Sequence, residues 1–395
     1  MKHTSLIISF IASLWLAACS NDVPIVNLGI DDFYRISRMQ KLSLTPAFTG
    51  EAYRWYVDGR LVATSRDYVF VTGRQGTYHL TFEVIDPENP YRYDFTVEVT
   101  EEQEGYSPYI SRVYEYCPAP GQFVNEMPRY EDGDTYEDML RKVEDAISDT
   151  NDIMITLGSF GGYVTFGFDH TVINVKGEKD IRIWGNAIYA DRDLLNPGGS
   201  AEPGIVMVSY DANCNGLPDD PWYELAGSEY SNPATKHSYS VTYHRPDPLR
   251  EIIAGAGGQI SDLYYIACVD SEDVTSYLPK NVFHTQDYFP KWSAAPALTF
   301  TGTCLPPNAE DISDGVGENY ILHSYSWGYA DNHPNSEADL CSFDIDWAVD
   351  SEGRPVHLDG IDFVRVYTGL NQYCGWIGES STEICRAADL HLAPE

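Results

Sequence analysis

Residues 78–84, Tyr78-His79-Leu80-Thr81-Phe82-Glu83-Val84, alternate large apolar and polar side chains without a break. Residues 93–99, Tyr93-Asp94-Phe95-Thr96-Val97-Glu98-Val99, repeat the pattern. Side chains leave a strand to opposite faces in turn, so a period of two marks a strand with one buried and one wet face. Gly73, Gly76, Pro87 and Pro90 punctuate the runs. Upstream, Arg54-Trp55-Tyr56-Val57-Asp58-Gly59 reads as a strand entering a turn. A small all-β module is therefore expected over residues 23–102.

Working outward, the N-terminus has a different character. Lys2 and His3 precede an apolar run from Ser5 to Leu16, too short to span a bilayer. Leu16-Ala17-Ala18-Cys19 follows, the pattern of a lipobox. Small residues suit the signal peptidase, and the thiol of Cys19 takes the diacylglycerol. Residues 1–19 thus read as a lipoprotein signal peptide with Cys19 as the lipidated residue. That placement implies a lipid-anchored protein of the outer membrane, exposed at the cell surface.

Beyond the first module, Glu101, Glu102, Gln103 and Glu104 form a charged, apolar-poor run that marks a boundary. Residues 107–395 then read as one large domain. Thr135 is placed to cap a helix whose stripe is Met139, Leu140, Val143, Ala146 and Ile147. The rest reads as strands: Val164, Phe166 and Phe168 share a face, as do Ile181 and Ile183, then Tyr239, Val241 and Tyr243, then Phe343, Ile345 and Trp347. Long loops rich in Gly, Pro, Asn and Asp separate them. The fold expected is mostly β, a jelly-roll-like sandwich with long loops and one or two helices.

The formal net charge is −35, which disfavours nucleic acid and anionic membrane as partners. Seven cysteines follow Cys19, at 117, 214, 268, 304, 341, 374 and 385, with no C-x-x-C pair. Zinc ribbons and thioredoxin chemistry are therefore not expected. Cys374 and Cys385 are spaced to staple a hairpin. Protease, hydrolase-elbow and P-loop motifs are absent, so no catalytic residues are assigned and the chain is read as a non-enzyme.

Three stretches could bind something. In Asp211-Ala-Asn213-Cys-Asn215-Gly-Leu217-Pro-Asp219, oxygen ligands stand at positions 1, 3, 5 and 9, with the Leu217 carbonyl at position 7 and Gly216 at the turn. That is the spacing of an EF-hand-type calcium loop, with a structural ion expected. Trp222 stands where the closing Glu belongs, so Glu224 or a distant carboxylate would have to complete the shell. The alternative reading of the spacing is an Asx-rich turn without metal. The second stretch is Cys117-Pro-Ala-Pro-Gly-Gln122-Phe123-Val-Asn125, a proline-stiffened loop offering Gln122, Phe123 and Asn125 to a ligand. The third is a set of aromatics with neighbouring polar groups: Trp222, Tyr288, Trp292, Trp327, Tyr329, Asn332, His333, Tyr373 and Trp376.

The first module resembles the PKD-like or immunoglobulin-like spacers found between a lipid anchor and a working domain. The large domain, through 118–126, 161–169, 219–230, 328–332, 361–368 and 378–384, resembles Bacteroidota cell-surface lipoproteins. Within these the likeness is to the cobalamin-binding family called BtuH. That resemblance implies capture of a corrinoid such as vitamin B12 and its delivery to a TonB-dependent outer-membrane transporter. Proteins of similar appearance serve glycan uptake, so a carbohydrate ligand is the alternative, and a glycoside hydrolase a third.

Overall fold

A computed structural model describes residues 29–87, 90–102, 105–191, 198–313 and 319–392. The signal segment and Cys19 lie outside the described residues, as do Gln103 and Glu104 of the boundary. Among the described residues no helix is long and apolar enough to cross a membrane.

The chain is mostly β, a small sandwich followed by a larger jelly-roll-like one. The two alternating runs are neighbouring antiparallel strands, Gly76–Ile85 and Tyr91–Thr100, with Leu80 opposite Phe95 and Phe82 opposite Tyr93. They sit at the centre of a five-stranded sheet, and Leu42–Leu44 with Tyr68–Phe70 supplies a two-stranded partner. The apolar half of each run meets Leu44, Trp55 and Phe70 in one core. Trp55 is fully buried, its ring 4.4 Å from Phe82 and its N–H donated to the Ser65 carbonyl at 3.1 Å.

Glu102 belongs to this module, since it pairs with Arg38 at 2.6 Å. Lys41 reaches across to the large domain and bridges Asp211 and Asp362 at 3.3 and 3.0 Å.

The large domain is organised by a six-stranded antiparallel sheet, in the order Ala348–Val349, Trp222–Leu225, Gly204–Ser209, Gly360–Thr368, Tyr163–Ile173, Arg112–Cys117. One face carries Val164, Phe166, Val206, Val208, Val364 and Val366 into the main core. The helix Tyr136–Ile147 adds to that core: Met139, Val143, Ala146 and Ile147 are buried, and Thr135 caps it in a reciprocal capping box with Asp138. A second, four-stranded antiparallel sheet, in the order Thr275–Asn281, Ile260–Asp270, Lys236–His244, Ala297–Cys304, has its own core with Tyr239, Val241 and Tyr243.

Two expectations are corrected. Phe343, Ile345 and Trp347 do not share a strand: the strand ends at Phe343, and Ile345–Trp347 is a 3-10 turn. The Asp344 side chain accepts from the Asp346 N–H, and Asp180 from that of Ile345, which satisfies the backbone without a ladder. Cys374 and Cys385 are not bonded to each other; each is a buried free thiol.

Candidate functional site

The site forms on the face of the six-stranded sheet opposite the main core. Register places Glu115, Thr165, Arg365, Met207 and Glu224 in one row across five strands. Such a row on a solvated sheet normally alternates charges on open ground. Here the Ala297–Cys304 strand of the second sheet lies beside it, for Thr303 donates its hydroxyl to Glu224 at 2.6 Å. Burial pushes the Glu224 carboxyl up to about 7. At the other end Arg365 donates to Glu115, and to Thr165 at 2.8 Å.

The Arg365 guanidinium is also held between two rings, 4.6 Å from the centre of Tyr163 and 4.4 Å from that of Trp222. Each ring lines a cavity. On the Tyr163 side a hollow of about 320 Å3 is walled by Tyr116, Tyr136, Trp292 and Phe300. On the Trp222 side one of about 220 Å3 is lined by Glu224, Tyr230, His237 and Thr301. Two aromatic hollows thus flank one guanidinium. Asp350 shares the second hollow, but its oxygens accept from Glu352, Arg354 and the Arg354 side chain. Those bonds hold it below the usual carboxylate range, so it is not free to act as a base.

Of the residues expected to bind ligand, Trp222 and Trp292 are brought to these two hollows. Trp292 lies 6.0 Å from Tyr116, nearly parallel to it. Others are occupied inside the protein. Asn125 donates to the Asp287 and Phe289 carbonyls and accepts from Lys291. Asn332 spends both ends of its amide on the Tyr325 backbone at 2.8 Å. Gln122 donates to the Ile377 carbonyl and accepts from Asn281. Tyr288 and Tyr329 are core residues, 1% and 2% exposed. Phe123 meets the edge of His284, and buried His333 bonds Tyr189 at 2.7 Å. Trp327 is exposed but packs on Trp347, away from both hollows. Tyr373 lines a separate cavity. The Trp376 side chain lies outside the described residues.

The 211–219 loop folds as a tight turn. Asp211 accepts from the Asn215 and Gly216 N–H groups at 3.0 Å each, while Asn213 and Asn215 turn their side chains toward Asp219. Gly216 takes a positive φ of 73°. Glu224 is not part of this loop's shell, since it stands in the sheet row. Asp362, which accepts from the Asp211 N–H at 2.8 Å, is the distant carboxylate that lies beside the loop.

Sequence reasoning missed Arg365 and Tyr163 as site residues, considered Glu224 only as a calcium ligand, and missed a buried acidic cluster. Glu202, Asp331 and Glu383 bring carboxylate oxygens within 4.8 Å of one another. Asp331 accepts from the Asn186, Ala187 and Glu383 N–H groups, and Glu383 from Thr156 and Ser381. Burial and mutual repulsion hold the cluster well above the usual carboxylate range.

No model of a known protein family matches this sequence, and no curated protein matches it. Among solved structures it is similar to a quinonprotein alcohol dehydrogenase-like protein from Bacteroides thetaiotaomicron, at 10% identity and TM-score 0.18 over 65% of this chain and 49% of that one. The chain thus spans about half of that protein. It is similar to a SusE-like protein at 9% identity and TM-score 0.26, covering 88% of this chain and 92% of that one. A third is a carbohydrate-binding module of the β-sandwich superfamily, at 9% identity and TM-score 0.15, over 90% and 93%. Likeness at this level leaves function to the chain's own geometry.

Proposed function

We propose that this chain is a surface lipoprotein, anchored through Cys19, that binds carbohydrate between its two large sheets and does not cleave it. The observation that carries the reading is the Tyr163–Arg365–Trp222 stack between two aromatic hollows. A sugar ring offers an apolar face to an aromatic and hydroxyls to its edge. Glu224, His237 and Thr301 on the Trp222 side, and Ser293 and Thr299 on the Tyr163 side, supply the edge partners. The hollows are small, so each suits one sugar unit of a chain laid across Arg365.

The corrinoid expectation has weaker support. A roomier cavity, of about 540 Å3, is open and lies beside Met127–Arg129 and the helix, without tryptophan or tyrosine among its described lining residues. Calcium in the 211–219 loop, and hand-over to a TonB-dependent transporter, stand as parts of the proposal. The calcium shell would be Asp211, Asn213, Asn215, Asp219 and the Leu217 carbonyl.

Isothermal titration against a panel of oligosaccharides and against cobalamin tests the reading. Saturable glycan binding that depends on Trp222 supports it. Cobalamin binding with no glycan binding overturns it in favour of the corrinoid, and release of reducing ends would make the chain an enzyme.

A further inference from the structure

A third cavity, of about 260 Å3, shares no lining residue with the two hollows beside Arg365. Its walls include the rings of Phe160, Tyr243, Tyr277 and Tyr373, and it holds two carboxylates, Glu379 and Asp270. Tyr373 and Glu379 face each other across an antiparallel β-bridge, so both side chains leave the backbone on the same side.

Glu379 is 3% exposed. One of its oxygens accepts from the Gln122 N–H at 2.6 Å, and the other has no partner among the described residues. The Tyr373 hydroxyl, also buried, has none among them either. Leaving such groups unpaired costs the full desolvation of each, so native proteins rarely do it without a reason. Asp270 is different: its oxygens accept from the Tyr239 hydroxyl at 2.7 Å and from the Glu272 and Val274 N–H groups at 2.9 Å.

No Lys, Arg or His is among the described residues lining the cavity. Lys236, which lies over the Tyr239 ring, is paired with Glu272 at 2.7 Å. What the cavity lacks is a donor that carries positive charge.

We propose that this cavity binds a compact organic ammonium ion, with its N–H groups on Glu379 and the Tyr373 oxygen and its carbon skeleton against the aromatic walls. An ammonium group has three donors and no acceptor, which matches an acceptor-rich site. Aromatic faces attract cations, more strongly when both are out of water. Burial holds the Glu379 carboxyl up to about 7, as befits a carboxylate without a counter-charge.

Isothermal titration of the whole protein at pH 7.5 with ethanolamine, putrescine and glucosamine tests this, with glucose as the uncharged counterpart of glucosamine. At least one ammonium probe is expected to saturate, and glucose is not expected to compete with it. Glu379→Gln should weaken that probe at least tenfold and Tyr373→Phe severalfold, while Trp222→Ala leaves it unchanged. Binding of none of the three probes overturns the site, as does ammonium binding indifferent to Glu379→Gln. Should Glu379→Gln fail to fold, unchanged affinity in Tyr373→Phe overturns it. Loss of glycan binding in Trp222→Ala reports on the sheet hollows alone, so the two readings fail separately.

Discussion

Trp55 in the small sandwich and Trp222 in the large one both stand on antiparallel strands, yet their surroundings differ. Trp55 is sealed: its ring meets Phe82 and Tyr68, and its N–H meets a carbonyl. Trp222 is half-buried and presents a face to a guanidinium and a hollow. A sealed aromatic stabilises the fold. One whose face is shared with a charge and open space can exchange that neighbour for a ligand. The contrast predicts that truncating each will move a different observable.

Trp55→Ala should cause the largest change. A Trp→Ala change in a packed core costs about 3–5 kcal/mol, a large share of what a small sandwich has. Thermal or urea melts should show the small sandwich unfolding early, with glycan affinity unchanged. If affinity fell in proportion to stability, the two regions would not be separable.

Calcium should act next. At a hundredfold excess over its dissociation constant an ion bound only to the folded state adds about 2.7 kcal/mol. Calcium should therefore raise the melting temperature of the large domain, and Asp219→Asn should remove the rise. A melting curve indifferent to chelator would assign the 211–219 loop to the plain Asx-turn reading.

Trp222→Ala should cost about 2 kcal/mol of glycan binding, roughly thirtyfold, with a melting temperature close to that of the parent. A stability loss with intact binding would make Trp222 another Trp55.

How far this contrast was legible in the sequence depends on periodicity. The runs at 78–84 and 93–99 disclosed their strands because one face is buried and the other wet. Thr135 and the Met139–Ile147 stripe disclosed the helix in the same way. Trp222 and Trp292 were visible as aromatics among polar residues, but so were Tyr288 and Tyr329, which proved to be core. Nothing local separates them, because the difference lies in which strand is packed opposite. Arg365 sits within Phe363-Val364-Arg365-Val366-Tyr367 and reads as one polar residue in a strand. Its role comes from register, which brings strands far apart in sequence into one row. The acidic cluster was hidden for the same reason. Glu383, in Ser380-Ser381-Thr382-Glu383, reads as a solvated loop until Glu202 and Asp331 fold against it.

That cluster gives the next prediction, which sharpens the comparison because no acidic cluster of this kind occurs among the described residues of the small sandwich. Burial raises Asp331 to about 7 and Glu383 to about 8, above ordinary values of about 4. Between those limits the folded state binds more protons than the unfolded one, so stability falls as pH rises. The contribution is fully present below about pH 4 and lost as pH climbs through about 8, with a slope of up to about 1.4 kcal/mol per pH unit for each proton. His170 and His391, also raised, tilt the same way. Glu383→Gln should flatten the profile of the large domain between pH 5 and 8. An equally steep profile in the variant would assign the slope to the other raised groups, Glu224, Glu379 and the two histidines among them.

The smallest expected effect is the removal of the small sandwich altogether. A chain beginning at Gly105 loses Lys41, and with it the bridge to Asp211 and Asp362, together with the 3.1 Å contact of the Ser43 hydroxyl with Cys214. Asp362 lies three residues from Arg365 on the same strand, a distance of about 10 Å. Burial already raises the Asp362 carboxyl, and Lys41 opposes that rise. Without Lys41 the group takes up a proton more readily, which limits any new field at Arg365. Every residue that lines the two hollows beside Arg365 comes from the large domain. Glycan affinity should therefore stay within about twofold, or 0.4 kcal/mol, while the melting temperature falls slightly. A tenfold loss of affinity would mean that the small sandwich shapes the hollows, and the division into a sealed region and an open one would have to be redrawn along the Lys41 contact.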